Sequence, residues 1–452
     1  MEFGQADLWG ERRHLMTHFG MGALINKNMK NTRRDFLAQG AMGATLLAAG
    51  WSGCHSANDS ILNTMEEKYK LLDDAASEPV LKVELFPYPL IVEKLDLLRY
   101  QNNFICIVRT ADGAEGISVS NNAQMISLYP IFVNRLQPFF IGKDARNLEK
   151  LLEEVYVYQS NYKLQNLALW IPLATIEFAL LDLLGKKAQK SMGELIGEIH
   201  NPKIAVYQAN NYRGKSAEES LEGIKKDVAE TKAKALKFKI GGRMSKNADF
   251  PAGRTEKLIP LVRKAFGDEM IIYADSNGSY TVKEAIRIGK IIEEYKFDFY
   301  EEPVPFDWYD ETRQVAVALQ VPIAGGEQEP SLHQFTWLIC NDALDIVQPD
   351  MFYFGGMVRS MKVARMAHAV GKQCVPHISG SGLGYLYMMH FVSAIPNAGE
   401  YHEFKGFNRT LPIECSTSSL ESEHGVVTVP SGPGLGVTID PEYIAKHTVV
   451  KG

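Results

Sequence analysis

The chain has 452 residues, 46% hydrophobic and 23% charged, with a formal net charge of −6. That is the composition of a globular protein, and the length asks for two domains once any targeting segment is set aside. The acidic balance, with no Arg/Lys stripe interleaved with aromatics, excludes an electrostatic case for nucleic acid.

The N-terminal stretch reads differently from the rest. Thr32-Arg33-Arg34-Asp35-Phe36-Leu37 is a twin-arginine pattern, and small residues and leucines run from Ala41 to Trp51. That run is too short for a transmembrane helix but suits the apolar core of an export signal. A buried helix behind two arginines is the plainer alternative. Met29-Lys30-Asn31 looks like a natural start. Ser52-Gly53-Cys54 resembles a lipoprotein cleavage site, although Trp51 stands where an aliphatic residue is usual. The expectation for 1–54 is a twin-arginine signal sending the protein to the periplasm. A lipid on Cys54 would be its one tie to a membrane. Cys106, Cys340, Cys374 and Cys415 show no CxxC spacing and read as buried thiols.

Residues 55–78 are polar and small, and read as a linker. Residues 79–202 read as a small α+β domain. Leu81 to Tyr88 and Asn102 to Arg109 look like strands, Asp112-Gly113 is a hairpin turn signal, and 145–157 and 172–187 have helical periodicity. From Ile204 the pattern changes. Short apolar runs (Ile204–Tyr207, Leu236–Ile240, Met270–Ala274, Phe297–Tyr300, Val321–Ala324, Asp345–Val347 and Gln373–Val375) alternate with amphipathic helices such as Ala217–Ala235 and Thr281–Tyr295. This alternation predicts parallel β/α units. About seven or eight of them in roughly 200 residues predict a closed barrel over 203–403. The turn-rich segment 404–452 should return to pack on the first domain.

The polar residues fall in phase with that frame. Lys237 and Lys239 end the second run, Asp275 the third and Glu301 the fourth. Glu327, Asp350 and His377 follow the fifth, sixth and seventh, and Glu400 lies near the expected eighth. The interval from Asp275 to Glu301 equals that from Glu301 to Glu327, 26 residues each (301 − 275 and 327 − 301). One β/α unit is about that long, so each acid reaches the C-terminal face, where barrel enzymes keep their active sites. Three converging carboxylates cannot all stay ionised without a cation among them. Hard oxygen donors without Cys or His favour Mg²⁺ or Mn²⁺ over zinc. Separate helix caps or surface ion pairs would explain one such acid, but poorly explain three.

Lys237 and Lys239 share one face of a strand. Beside a bound cation a crowded ammonium sheds its proton more readily and can serve as a base; a solvated strand end is the bland alternative. Asp350 can orient the His377 ring from one nitrogen and leave the other to move protons. Gly380-Ser381-Gly382-Leu383-Gly384 lacks the Lys-Ser/Thr of a P-loop and reads as an active-site loop.

The order Lys-x-Lys, Asp-x-Asn, Glu-Glu-Pro, Gly-Glu, Asp and His resembles the enolase superfamily, and within it the mandelate racemase subgroup. The resemblance runs from about residue 80 to the C-terminus and implies an α/β fold. That fold is a modified TIM barrel, (β/α)7β, with an N-terminal α+β capping domain completed by the C-terminal segment. It implies Mg²⁺ on Asp275, Glu301 and Glu327, and a substrate carboxylate held by the metal and Lys237. Lys239 would be a base on one substrate face, and His377, paired with Asp350, a base or acid on the other. Glu400, or Glu403 in its place, would donate to an ene-diolate, and Asn277 would support the carboxylate or the lysines. Phe86 and Tyr88 fall where a specificity loop or the capping core would lie. A homo-oligomer is also implied.

Dehydration of an acid sugar is the leading expectation, because such dehydratases are common in this subgroup. A 2-hydroxy-acid racemase or epimerase and a lactone cycloisomerase use the same residues, and the sequence does not separate them. A barrel glycosidase would need two carboxylates and no metal, and a non-catalytic binding protein would not need the full set of acids and bases.

Overall fold

The protein is seen here as a computed structural model that describes residues 54–379, 383–404 and 422–451. The twin-arginine pattern, the apolar stretch, Met29, Cys415 and the residues 380–382 of the glycine-rich loop lie outside them. A helix, α1 (Cys54–Ser77), opens the described chain. The linker expected over 55–78 is therefore corrected. Met65, Tyr69, Leu72 and Ala76 recur at helical spacing and pack on the core, with Leu72 fully buried. Lys68 Nζ reaches the carbonyl of Cys340 at 2.8 Å, so core packing and a tertiary hydrogen bond fix a segment whose composition reads as loose.

The capping sheet holds β1 (Val92–Tyr100), β2 (Asn103–Thr110) and β3 (Glu115–Val119), antiparallel, with the β2–β3 turn at Asp112-Gly113. The strand expected over Leu81–Tyr88 is absent. Pro87 and Pro89 deprive that stretch of ladder donors. It folds as a 3₁₀ turn at Val83–Leu85, while Leu81 and Phe86 still point into the core. Phe86 is thus a core residue, and Tyr88 stands exposed on the following loop. Helices α2 (Asn122–Ile131), α3 (Leu148–Val157) and α4 (Leu167–Ala188) cover the sheet. Helix α4 is long and apolar enough to cross a membrane, but 89% of its apolar window is buried inside the protein, as a core helix would be.

Eight parallel strands follow, in the sheet order that their sequence order gives: β4 (Lys203–Asn210), β5 (Ala235–Lys239), β6 (Ile271–Asp275), β7 (Phe299–Glu301), β8 (Ile323–Gly325), β9 (Ile346–Val347), β10 (Gln373–Cys374) and β11 (His402–Phe404). Strand β11 pairs with β4, and a bridge between Cys374 and Ala398 joins the other edge, which closes the barrel. Among the described residues seven crossover helices surround it: α5 (Ala217–Thr231), α6 (Arg254–Phe266), α7 (Val282–Glu294), α8 (Tyr309–Ala318), α9 (Leu332–Cys340), α10 (Met357–Ala369) and α11 (Leu383–Ala394). The C-terminal segment returns twice. A short hairpin, β12 (Ser422–Glu423) and β13 (Val426–Thr428), pairs antiparallel with β4, and β14 (Thr448–Val449) adds a strand to the capping sheet beside β1.

The barrel interior is floored by Tyr207, Ala235, Tyr273, Phe299, Ala324, Ile346 and Val375, with Tyr401 against them. Tyr273 stacks on Phe299 at 3.7 Å between ring centroids. This apolar layer decides what stands above it. Side chains on a strand repeat their facing every two residues, so Lys237, Asp275, Glu301, Gln348, His377 and Glu403 rise over Ala235, Tyr273, Phe299, Ile346, Val375 and Tyr401.

Candidate active site

Each acid at the mouth of the barrel lies against a cation of the chain itself. Lys237, 1% exposed, donates to both oxygens of Glu301 at 2.8 Å and lies 5.1 Å from the centre of the Tyr207 ring. Lys239 Nζ contacts Asp275 Oδ2. His377 Nε2 stands 3.3 Å from Glu327 Oε2. Among the described residues no three His, Cys, Asp or Glu side chains are grouped as they would be to hold a metal ion. The lysines and the imidazole lie between the carboxylates.

The titration behaviour follows from that crowding. Burial pushes the Asp275 carboxyl up, but Lys239 and Lys237 outweigh it and hold the group well below the usual carboxylate range. Glu301 goes the other way, to about 7, through burial and the charge of Asp275. Burial works against the Lys237 ammonium, yet Glu301, Glu403 and Asp275 keep it charged far above its ordinary range. For His377, burial opposes the charged form, but Glu327, Glu403 and Asp350 together push it up to about 9. The ring is an imidazolium at neutral pH.

The His377–Asp350 pair is tightly built. Nδ1 of His377 lies 2.7 Å from Asp350 Oδ2. An ionised carboxylate only accepts, so Nδ1 carries the proton. The other oxygen, Asp350 Oδ1, accepts from the backbone amides of Phe352 (2.8 Å) and Tyr353 (2.9 Å) and from Ser379 Oγ (3.1 Å). Strand β10 and the chain after β9 meet here, through a parallel bridge between Asp350 and His377.

Asn277 is a support. Its amide hydrogens reach Asp275 Oδ2 and Glu302 Oε2, both at 3.3 Å, and its oxygen accepts from Arg213 at 2.8 Å and from Arg243 at 3.4 Å. Every polar atom of that side chain is engaged by protein, which matches a carboxylate-supporting role better than direct substrate contact.

Glu400 is misplaced by the sequence reading. It is exposed, and its charge acts on Asp298 and Tyr273, toward the start of the strands. Glu403 is 1% exposed and lies 3.7 Å from His377 Nε2. Parity explains the correction. Tyr401 faces the barrel interior, so Glu403, two residues on, does too, while Glu400 points out of phase. The same rule would have found Gln348, which donates to Glu301 Oε2 at 3.0 Å and precedes Asp350 by two. Glu302 was also missed. It is buried, with a positive φ of 43° and its carboxyl pushed up by burial and by Glu327, Asp275 and Glu301. The doubled acid in Glu-Glu-Pro was its only signal.

Glu327 does not follow the strand parity. It depends on Gly326, whose φ is +106° and whose added Cβ would meet the Phe335 ring at 2.6 Å. Only glycine makes that turn without strain.

The residues fit a hard dication. Glu302 Oε1 is buried without a hydrogen-bond partner, which is costly for a carboxylate oxygen unless something positive satisfies it, and Glu327 Oε2 faces the His377 ring at 3.3 Å. The donors are all oxygens.

The chain matches two family models: mandelate racemase/muconate lactonizing enzyme, N-terminal domain, over residues 97–197, and enolase C-terminal domain-like over 219–443. It belongs to the mandelate racemase subgroup of the enolase superfamily. It is an enzyme of that superfamily. Arabinonate dehydratase of Saccharolobus solfataricus is 28% identical over 74% of this chain and 87% of its own. D-galactarolactone cycloisomerase of Agrobacterium fabrum is 29% identical over 68% and 82%. The crystal structure of a proposed racemase from Roseobacter denitrificans superposes with a TM-score of 0.72 at 29% identity, over 80% of this chain and 99% of that one.

Proposed function

We propose that the enzyme removes the proton α to a substrate carboxylate with the help of Mg²⁺, or Mn²⁺, and dehydrates an acid sugar, an aldonate or aldarate, to a 2-keto-3-deoxy acid. The observation that carries the reading is His377: an imidazole held by Asp350 at 2.7 Å, with Asp275, Glu301 and Glu327 at the ends of the strands between it and Lys239. Members of the superfamily generally use Mg²⁺. Asp275, Glu301 and Glu327 would hold it. Bound there, a dication would stabilise the second negative charge that builds on the substrate carboxylate as the α-proton leaves.

The chain's own residues supply the rest. Lys237, buried and charged, pairs with the substrate carboxylate. Lys239, acting as the neutral amine, takes the α-proton and becomes an ammonium, and the C–H electrons pass into an ene-diolate. Glu403, in the place expected for Glu400, donates to an ene-diolate oxygen when its carboxyl carries a proton. Collapse of the ene-diolate breaks the β-carbon–oxygen bond, and His377 protonates the departing hydroxyl as water. The enol left behind tautomerises to the 2-keto acid. The capping domain keeps water from the site.

A lactone cycloisomerase is the second reading, favoured by the similarity to D-galactarolactone cycloisomerase. The test is a library of acid sugars and lactones with Mg²⁺, following 2-keto product and α-hydrogen exchange in D₂O. Dehydration abolished by EDTA and by His377→Asn, with exchange retained for one stereoisomer in that variant, supports the proposal. Exchange without any 2-keto product would replace dehydration with racemisation. Turnover indifferent to EDTA would overturn the metal. Periplasmic export by the twin-arginine route, lipidation of Cys54 and a homo-oligomeric state are separate proposals, the first two resting on the motifs between Thr32 and Cys54.

A further inference from the structure

The acid side of the site is fastened to the capping domain by a hydrogen-bonded chain. Asn121, at the N-terminus of α2 and 3% exposed, donates from Nδ2 to Ser379 Oγ at 3.0 Å. Ser379 donates to Asp350 Oδ1 at 3.1 Å, and Asp350 Oδ2 takes the His377 Nδ1 proton at 2.7 Å. We infer that Asn121 and Ser379 are positioning residues for the His377–Asp350 pair, so that the capping domain sets the aim of the proton donor in the barrel. This rests on the reading of His377 as the acid.

The logic is one of proton direction. A serine hydroxyl has a single proton to give. The Asn121 amide fills the Ser379 oxygen as a donor, so the Ser379 proton is left for Asp350. If residue 121 offered an acceptor instead, the hydroxyl would turn toward it and leave Asp350. Two backbone amides would still hold Oδ1, so the carboxylate would loosen and not be lost. The imidazole, which takes its tilt from Oδ2, would lose part of its aim. Hydrogen bonds to an ionised group are the stronger kind.

A purely structural role for Asn121 makes a different forecast. Its Oδ1 accepts from the Gln124 amide at 3.4 Å as the cap of α2. Asp caps a helix as well as Asn does. Asn121→Asp therefore keeps the cap and reverses the bond to Ser379, while adding one carboxylate near the pair; Ser379→Ala is the variant that carries no such charge. Ser379→Ala removes the link altogether.

The experiment uses the full chain with Mg²⁺ and compares wild type, Asn121→Asp and Ser379→Ala. It reads kcat and KM for dehydration, α-hydrogen exchange, thermal unfolding, and the NMR signal of the His377 Nδ1 proton, assigned by its loss in His377→Asn. Both variants should lose dehydration kcat roughly tenfold, the size expected for one hydrogen bond to a charged group. KM, the Lys239-side exchange and the unfolding midpoint should hold, and the Nδ1 proton signal should shift or broaden. An unmoved NMR signal and kcat in both variants would overturn the inference. So would exchange and dehydration falling together with the unfolding midpoint. If wild type dehydrates no acid sugar, the proposed reaction fails, and the NMR comparison still decides the positioning.

Discussion

Asp350→Asn should move the alkaline limb of the reaction without unfolding the barrel. The side of residue 350 that faces Phe352, Tyr353 and Ser379 receives three donors. An asparagine must keep its carbonyl oxygen there and turn its NH₂ toward His377. The amide then donates to Nδ1, which can no longer carry a proton. Two effects add. The imidazolium loses a charge-assisted bond now 2.7 Å long, and the neutral ring gains a donor on Nδ1. His377 stands at about 9. A hydrogen bond to a charged group contributes about 1.5–3 kcal/mol, which is roughly one to two pKa units. The sign is that of a raised base: the protonated acid is present below its folded pKa and is lost as pH rises through it. The variant limb therefore falls roughly one to two units below the wild-type limb. The assay is the pH dependence of kcat/KM for 2-keto acid formation, beside α-hydrogen exchange at each pH. A variant limb unmoved from that of wild type, or exchange that declines in step with dehydration, would refute the reasoning.

Glu301→Gln should abolish turnover while the protein stays folded by circular dichroism. It also leaves the buried Lys237 facing an amide, so a fall of a few degrees in unfolding midpoint is expected; retained activity would sink the metal-ligand set. Glu403→Met should cut dehydration at least tenfold, as loss of one transition-state donor does, while Glu400→Met leaves it unchanged; steady-state rates that order the two the other way would restore Glu400. Converting Arg33 and Arg34 together to lysine should retain the protein in the cytoplasm, checked by fractionation, and unchanged export would remove the twin-arginine proposal.

How much was legible depended on whether a signal was local. Strand ends were readable because apolar runs stop where polar chemistry begins, so Asp275, Glu301 and His377 fell at the right face. Glu403 against Glu400 needed the phase of β11, and a three-residue strand offers no run long enough to set it. Phase came only from Tyr401 meeting the barrel floor. Helix α1 was invisible for a related reason. Its polar composition masks the helical spacing of Met65, Tyr69, Leu72 and Ala76, and its place is fixed by Leu72 and Lys68 packing on or bonding to the core far along the chain. Asn121 and Ser379 are 258 positions apart, and no spacing rule joins them.

The two proton-handling sides of the site are supported unequally. Lys239 ends a five-residue strand whose neighbour β6 pairs with it along its whole length, Lys239 opposite Asp275. His377 lies beyond a strand of two residues and is aimed by Asp350, itself held by a turn, Ser379 and the capping domain. A ladder resists local opening better than a turn with one cross-domain bond. Proton removal by Lys239 should therefore outlast departure of the hydroxyl when the capping domain is loosened. Mild denaturant, or a destabilised β14–β1 pairing at Thr448 and Val449, should suppress 2-keto product before α-exchange. Parallel loss of both would mean that the ladder and the capping domain open as one unit.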